Sequence, residues 1–163
     1  MAHSIRRRPF IVAAIIVVLG WMSLALDVRA ASWQGIEPFK TRRADVVQIL
    51  GKPISETPDG VLRFNVSGGS VQVSFADEKF VNAKRLRPEL AGTVLEIVLQ
   101  HAHSSETAES MNLPNNHSFV RDEVRNAVIF RNIKEGIVYT FMDGKLTTTR
   151  YTFADSQLVR ARR

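Results

Sequence analysis

Apolar and polar positions alternate along this chain with two different periods, and the changes of period predict its elements. After Thr41, the apolar positions Ala44, Val47 and Leu50 recur at three-residue spacing, with Val46 and Ile49 widening the stripe. This predicts a short helix that Thr41 caps and that Gly51 and Pro53 end, since glycine can take the left-handed position past a helix and proline prevents the helix resuming. Leu62, Phe64 and Val66 then alternate with Arg63 and Asn65, and Val71, Val73 and Phe75 with Gln72 and Ser74. With Ser67-Gly68-Gly69-Ser70 between the two runs, residues 61–76 predict an antiparallel hairpin closed by a four-residue loop. Residues 77–92 show no clean period and are expected as a long exposed loop with Phe80 and Val81 tucked beneath it. Thr93 to Leu99 reads as a strand with Leu95, Ile97 and Leu99 on one side and Val94, Glu96 and Val98 on the other, apolar enough for a central position.

The second half repeats the scheme. Ser104 or Ser105 is expected to open a helix to about Met111, with Glu106 and Glu109 placed favourably for the helix dipole and Leu113-Pro114-Asn115-Asn116 stopping it. Strands follow at about 117–121, 126–131, 136–142 and 145–152. Asp143-Gly144 between the last two supplies the positive φ angles of a type I′ hairpin turn, and Thr147, Thr148, Thr149 and Tyr151 are strand formers. From about Asp155 the chain reads as a frayed polar tail. Helix-then-strands thus occurs twice, at 41–99 and 105–152, which predicts an α+β fold: one antiparallel sheet built from two such units, with the helices packed on one face.

The N-terminus obeys neither period. Pro9 to Leu26 is a run of 18 residues without a charge, preceded by Arg6-Arg7-Arg8 and followed by Val28-Arg29-Ala30. Basic, apolar, then small residues at the −3 and −1 positions is the order of an export signal cut after Ala30. The competing reading is an uncleaved anchor, because 18 residues lie at the lower edge of what spans a bilayer. Both readings place the remainder outside the cytoplasm, periplasmic or secreted in the first and tethered in the second, with membrane contact only if residues 9–26 stay. Arg7-Arg8-Pro9-Phe10-Ile11 also resembles the twin-arginine export pattern, with Val12 where lysine is usual. The chain therefore divides into a signal or anchor (1–30), a single α+β domain (31–155) and a basic tail (156–163).

Export changes the charge picture. The whole chain carries a formal +6, but without Arg6, Arg7, Arg8, Arg29 and Asp27 the remainder has 18 basic and 15 acidic side chains. That small excess gives no ground for nucleic-acid binding. What stays basic is local: Lys79, Lys84, Arg85 and Arg87, then Arg160, Arg162 and Arg163, either solvated or touching an anionic envelope component. The chain contains no cysteine, which excludes thiol catalysis, iron–sulfur clusters and Cys-based zinc sites.

Candidate chemistry is sparse. His101-x-His103 would put two imidazoles on one side of a continuing strand, and with His117 and Glu106 they could hold zinc. Their spacing fits no established ligand motif, and a polar Ser/His connection is the competing reading. Asp77-Glu78 and Asp122-Glu123 are neighbours that point to opposite faces of an extended strand, so neither forms an acid/base pair by itself. Gly68-Gly69-Ser70 lacks the Gly-x-Ser-x-Gly of a nucleophile elbow, and no glycine-rich phosphate loop enters a helix. Trp33, Ile36 and Phe39 stand before the first helix. Phe64, Phe75, Phe130, Tyr139, Phe141, Tyr151 and Phe153 fall on strands, mostly as core, with a remainder on an open sheet face available to line a groove for a partner. No catalytic residue and no cofactor is expected. The favoured reading is an exported, non-catalytic binding or structural module of the cell envelope; the alternative is a small extracytoplasmic metal-dependent or hydrolytic enzyme using His101, His103 and His117.

The stretch Trp33-x-Gly35-Ile36-x-Pro38-x-x-Thr41-Arg42-x-x-Asp45-Val46-x-x-x-Leu50-Gly51-x-Pro53, with Gly92-Thr93-Val94-x-x-Ile97 further on, resembles a group of small uncharacterised exported bacterial proteins. The helix, its Leu50-Gly51-x-Pro53 stop and the following hairpin also resemble the SmpA/OmlA (BamE-like) outer-membrane assembly lipoproteins and the tandem helix–sheet layout of β-lactamase-inhibitor-like domains. The likeness covers about residues 33–99. It implies a helix-backed antiparallel sheet and brings no catalytic residues. OmlA-type proteins are anchored through a lipobox cysteine, which this chain does not have.

Overall fold

The computed structural model describes residues 31–162. Residues 1–30, which the sequence reads as a signal or anchor with a cut expected at Val28-x-Ala30, lie outside the described residues. Along the chain run α1 (Arg43–Leu50), β1 (Ser55–Glu56), β2 (Leu62–Val66), β3 (Gly69–Phe75), α2 (Glu78–Ala83), a 3-10 turn (Pro88–Leu90), β4 (Val94–His101), β5 (Val120–Val124), β6 (Ala127–Asn132), β7 (Ile137–Met142), β8 (Lys145–Thr152) and α3 (Asp155–Ala161). All eight strands join one antiparallel sheet in the order β1-β2-β3-β4-β8-β7-β6-β5. It is two meanders, β1–β4 and β5–β8, joined through the last strand of each.

Period-two alternation gives this sheet one apolar and one polar face. The apolar side carries Leu62, Phe64, Val71, Val73 and Ile97 in the first meander, packed with Val46 of α1 and Ile36 of the preceding segment into one buried cluster. In the second meander Phe130, Phe141 and Leu146 form another, covered by Leu113, Ala108, Met111 and Phe119 of the connection between β4 and β5. A third cluster joins α2, the 3-10 turn and α3 through Val81, Leu86, Leu90 and Ala161, with Phe39, Leu95 and Leu158 against it. Phe39 stacks on Phe153 with ring centroids 4.7 Å apart.

The mixed helix and antiparallel-sheet class is as the patterning predicts, and so are the hairpin at 61–76, the central place of β4 and the turn at Asp143-Gly144. Both residues of that turn have positive φ, +50° and +74°. Other expectations are corrected. The first hairpin closes on Ser67-Gly68, because Val66 already pairs with Gly69, so its loop has two residues instead of four. Thr41 does not cap α1. Its hydroxyl accepts from the Glu37 amide at 2.8 Å, and the helix starts after Arg42, whose amide donates to Asp45 Oδ2 at 3.0 Å.

Residues 77–92 are not a loop. Asp77 caps α2, accepting from the Phe80 amide at 2.7 Å, and Val81 is buried as expected. Conversely, the helix expected at 104–111 is replaced by turns. Ser104 Oγ accepts from the Glu106 amide, Thr107 Oγ1 from that of Ser110 and Ser110 Oγ from that of Thr107, and such local bonds compete with a helical ladder. α1 packs on the first meander through Val46, while α2 and α3 cluster together after β3 and β8 and take in Leu95 of β4. The expected tail at 156–163 is corrected as well: through Ala161 it is helix α3, held where the Arg87 amide donates to the Ala161 carbonyl at 2.9 Å.

Between β3 and β4 the register shifts at Ser74 and Phe75, so Ser74 faces Glu96 while Phe75 faces Val94. This bulge turns Val94 into the apolar core and hands Leu95 to the α2–α3 cluster, the reverse of the strict alternation expected for these two residues.

Candidate functional site

Because paired residues of neighbouring strands point to the same side, the register maps the second face of the sheet. One row crosses all eight strands: Ser55, Arg63, Gln72, Val98, Arg150, Val138, Arg131 and Val120. The next runs Asn65, Ser70, Gln100, Thr148, Thr140, Ile129 and Asp122. None of these side chains is buried, and Ser55, Arg63, Asn65, Gln100, Arg131, Arg150 and Val120 are exposed. Arg150 pairs with Glu96 at 3.2 Å and Arg131 with Asp122 at 3.0 Å, and between them Val98, Val138 and Ile129 stay half-exposed. No strand aromatic points to this face. Phe64, Phe130, Tyr139, Phe141 and Tyr151 all belong to the covered side, which corrects the expectation of an aromatic groove.

Where the covered side has neither α1 nor the β4–β5 connection fully over it, Tyr139 and Tyr151 sit half-buried. Burial raises the pKa of both phenols above the ordinary 10, helped at Tyr139 by the Glu135 carboxylate and at Tyr151 by Tyr139. These groups stay protonated at neutral pH.

The histidines separate. His101 ends β4 with its Nε2 2.9 Å from Thr149 Oγ1, and burial holds its pKa below the usual 6.5. His103 shares with it an open cleft of about 630 Å³ of mixed lining, with Ser104, Asp143 and Lys145 beside Met142 and Leu146. His117 is exposed on the far part of the connection and does not line that cleft. Among the described residues no group of three or more His, Asp or Glu side chains is placed to hold a metal ion. The two acidic doublets also part company. Asp77 serves as a helix cap, whereas Asp122 and Glu123 bond to Arg131 and Arg121 respectively.

The row of Arg63, Arg150 and Arg131 escapes a reading of the sequence. Each arginine is individually an outward position of a strand, and only strand order and register align them. The signal was the repeated arginine at a polar strand position; the missing knowledge was that β4 pairs with β8. Among the described residues no helix is long and apolar enough to cross a membrane. Compared with protein-family models, curated proteins and solved structures, the chain matches none.

Proposed function

We propose that this protein is an exported, non-catalytic binding module of the cell envelope, and that the open face of its sheet is the contact surface. One observation carries this reading: on a face spanning all eight strands no side chain is buried, and Val98, Val138 and Ile129 are set there among Arg63, Arg131 and Arg150. A polar sheet face interrupted by an apolar strip offers a partner both contact area and charge. The arginines favour a protein partner that brings acidic groups to flank an apolar strip, since guanidinium groups pair with carboxylates in two-pronged geometry. Export follows from the order of Arg6-Arg7-Arg8, the charge-free run and Val28-x-Ala30. We also read the two meanders as equivalent units, in which the β4–β5 connection covers for the second the sheet face that α1 covers for the first.

Photocrosslinking tests the proposal. A benzophenone amino acid at Val98 or Val138, in the full chain expressed in its native envelope, is expected to give one discrete adduct. The same probe at exposed Lys52 is expected to give none. Absence of an adduct from both open-face positions would refute the proposed surface.

A further inference from the structure

The outer edge of β5 has a property that neither the open face nor the clefts share: its sequence is complementary to itself. We infer that two copies of this chain pair through β5, antiparallel, about a two-fold axis at Asp122, extending the sheet from one protomer into the next.

The inference starts from which backbone groups point outward. β5 and β6 are joined by a two-residue turn, with Val124 opposite Ala127 and Arg125 at φ +56°. In such a hairpin the closing pair exchanges backbone hydrogen bonds and alternate pairs do not. Val120, Asp122 and Val124 therefore direct their amides and carbonyls to β6, while those of Arg121 and Glu123 point away from the sheet. β5 is the last strand on its side of the sheet, so among the described strands nothing meets them. An incoming antiparallel strand must pair with residues 121 and 123.

A second β5 does so in one register that is also chemically matched. With Asp122 facing Asp122 of the other copy, Arg121 faces Glu123 and Glu123 faces Arg121, and both of these are the pairs whose backbone groups are free to bond. Shifting the axis to residue 121 or 123 would set two arginines or two glutamates opposite each other with no opposite-charge pair beside them, whereas at Asp122 the one like-charged pair is flanked by two Arg–Glu pairs. In the matched register each Arg121 exchanges the Glu123 of its own strand, its present ion partner, for that of the other copy. Val120 meets Val124 across the junction, and these two valines stand 60% and 51% exposed in the isolated protomer. The two Asp122 side chains approach each other at the axis, and each already carries Arg131 at 3.0 Å, which offsets their repulsion.

The chain has no cysteine, so an introduced one reports position without interference. Residues facing each other in a non-hydrogen-bonded antiparallel pair have Cα atoms about 4.5 Å apart, within disulfide range. In the full chain, mild oxidation of Asp122→Cys is expected to give a disulfide-linked homodimer, and of Asn65→Cys, exposed on β2, to leave monomer. Sedimentation of the full chain in mild detergent supplies the second readout. Arg121→Glu and Glu123→Arg each turn two attractive cross-strand pairs into repulsive ones and are expected to weaken dimerisation about tenfold. The double variant R121E/E123R restores it, which a folding defect would not do. A chain that stays monomeric, a dimer indifferent to the single swaps, or an Asp122→Cys variant that crosslinks to a different protein instead of a second copy would each overturn the inference.

Discussion

Two glycines with the same backbone angle separate the intrinsic cost of a conformation from the cost of its surroundings. Gly144 and Gly136 both have φ +74°, but a Cβ at Gly144 would have nothing within 4 Å, whereas at Gly136 it would lie 2.2 Å from the Thr152 carbonyl oxygen. Gly136 is pinned there by its amide donating to the Asn132 carbonyl and its carbonyl accepting from the Thr152 amide, both at 2.8 Å. Gly144→Ala is expected to cost about 1 kcal/mol, the usual penalty of a left-handed residue with a side chain. Gly136→Ala adds a steric overlap and is expected to cost about 3 kcal/mol. Urea unfolding of the two variants measures the difference, and equal midpoints would mean that the turn after β6 moves freely out of the way. Asp143-Gly144 was legible in the sequence because a type I′ turn is chosen by its own two residues. Nothing near Gly136 announces that the strand end after Thr152 crowds it.

At the scale of elements, the same distinction between local and distant causes decides what could be read. The hairpins β2–β3 and β7–β8 follow from alternation and turn residues a few positions apart. α2, six residues long, has a local signal in its Asp77 cap, but its reason to persist is the contact of Val81 with Leu86, Leu90 and Ala161 from other segments. The charges of 77–92 hid that. α3 is the stronger case, since its polar sequence hides the two residues, Leu158 and Ala161, that join the cluster, and the Gln157 amide that donates to the Pro38 carbonyl at 3.2 Å. Ala161 is 3% exposed and Val159, on the same helix, 67%. Ala161→Asp puts an unpaired carboxylate among Val81, Leu86 and Leu90 and is expected to destabilise by about 2–4 kcal/mol. Val159→Asp is expected to change stability by about 0.5 kcal/mol or less. Thermal unfolding of the pair tests the docking of α3: a disordered tail would tolerate both changes equally. The candidate site was least legible of all, because a face made of one residue from each strand exists only after register is fixed.

For the whole molecule the decisive joint is the pairing of β4 with β8, where Glu96 to Gln100 meet Thr148 to Thr152. Tyr151 of β8 packs against the core of the first meander, while Tyr139 beside it belongs to the core of the second. The two halves should therefore unfold together. In a Trp21→Phe, Tyr151→Phe background the chain keeps one tryptophan, Trp33, and one tyrosine, Tyr139, each reporting on a different half. Their urea midpoints, by Trp33 fluorescence and by fluorine NMR of fluorotyrosine at 139, are expected to coincide; two separate midpoints would show that the joint does not couple the halves. The same joint governs how the chain comes into being. Synthesis from the N-terminus delivers β1 to β4 as a finished meander while β8, the strand that shields the free edge of β4, is the last to be made. Until residues 145–152 emerge, Val94 to His101 present an unpaired and largely apolar edge of the kind that captures stray strands. A nascent chain halted between β4 and β8 is thus the most aggregation-prone form of this protein, and a premature stop after residue 120 is more hazardous to the cell than one before residue 60.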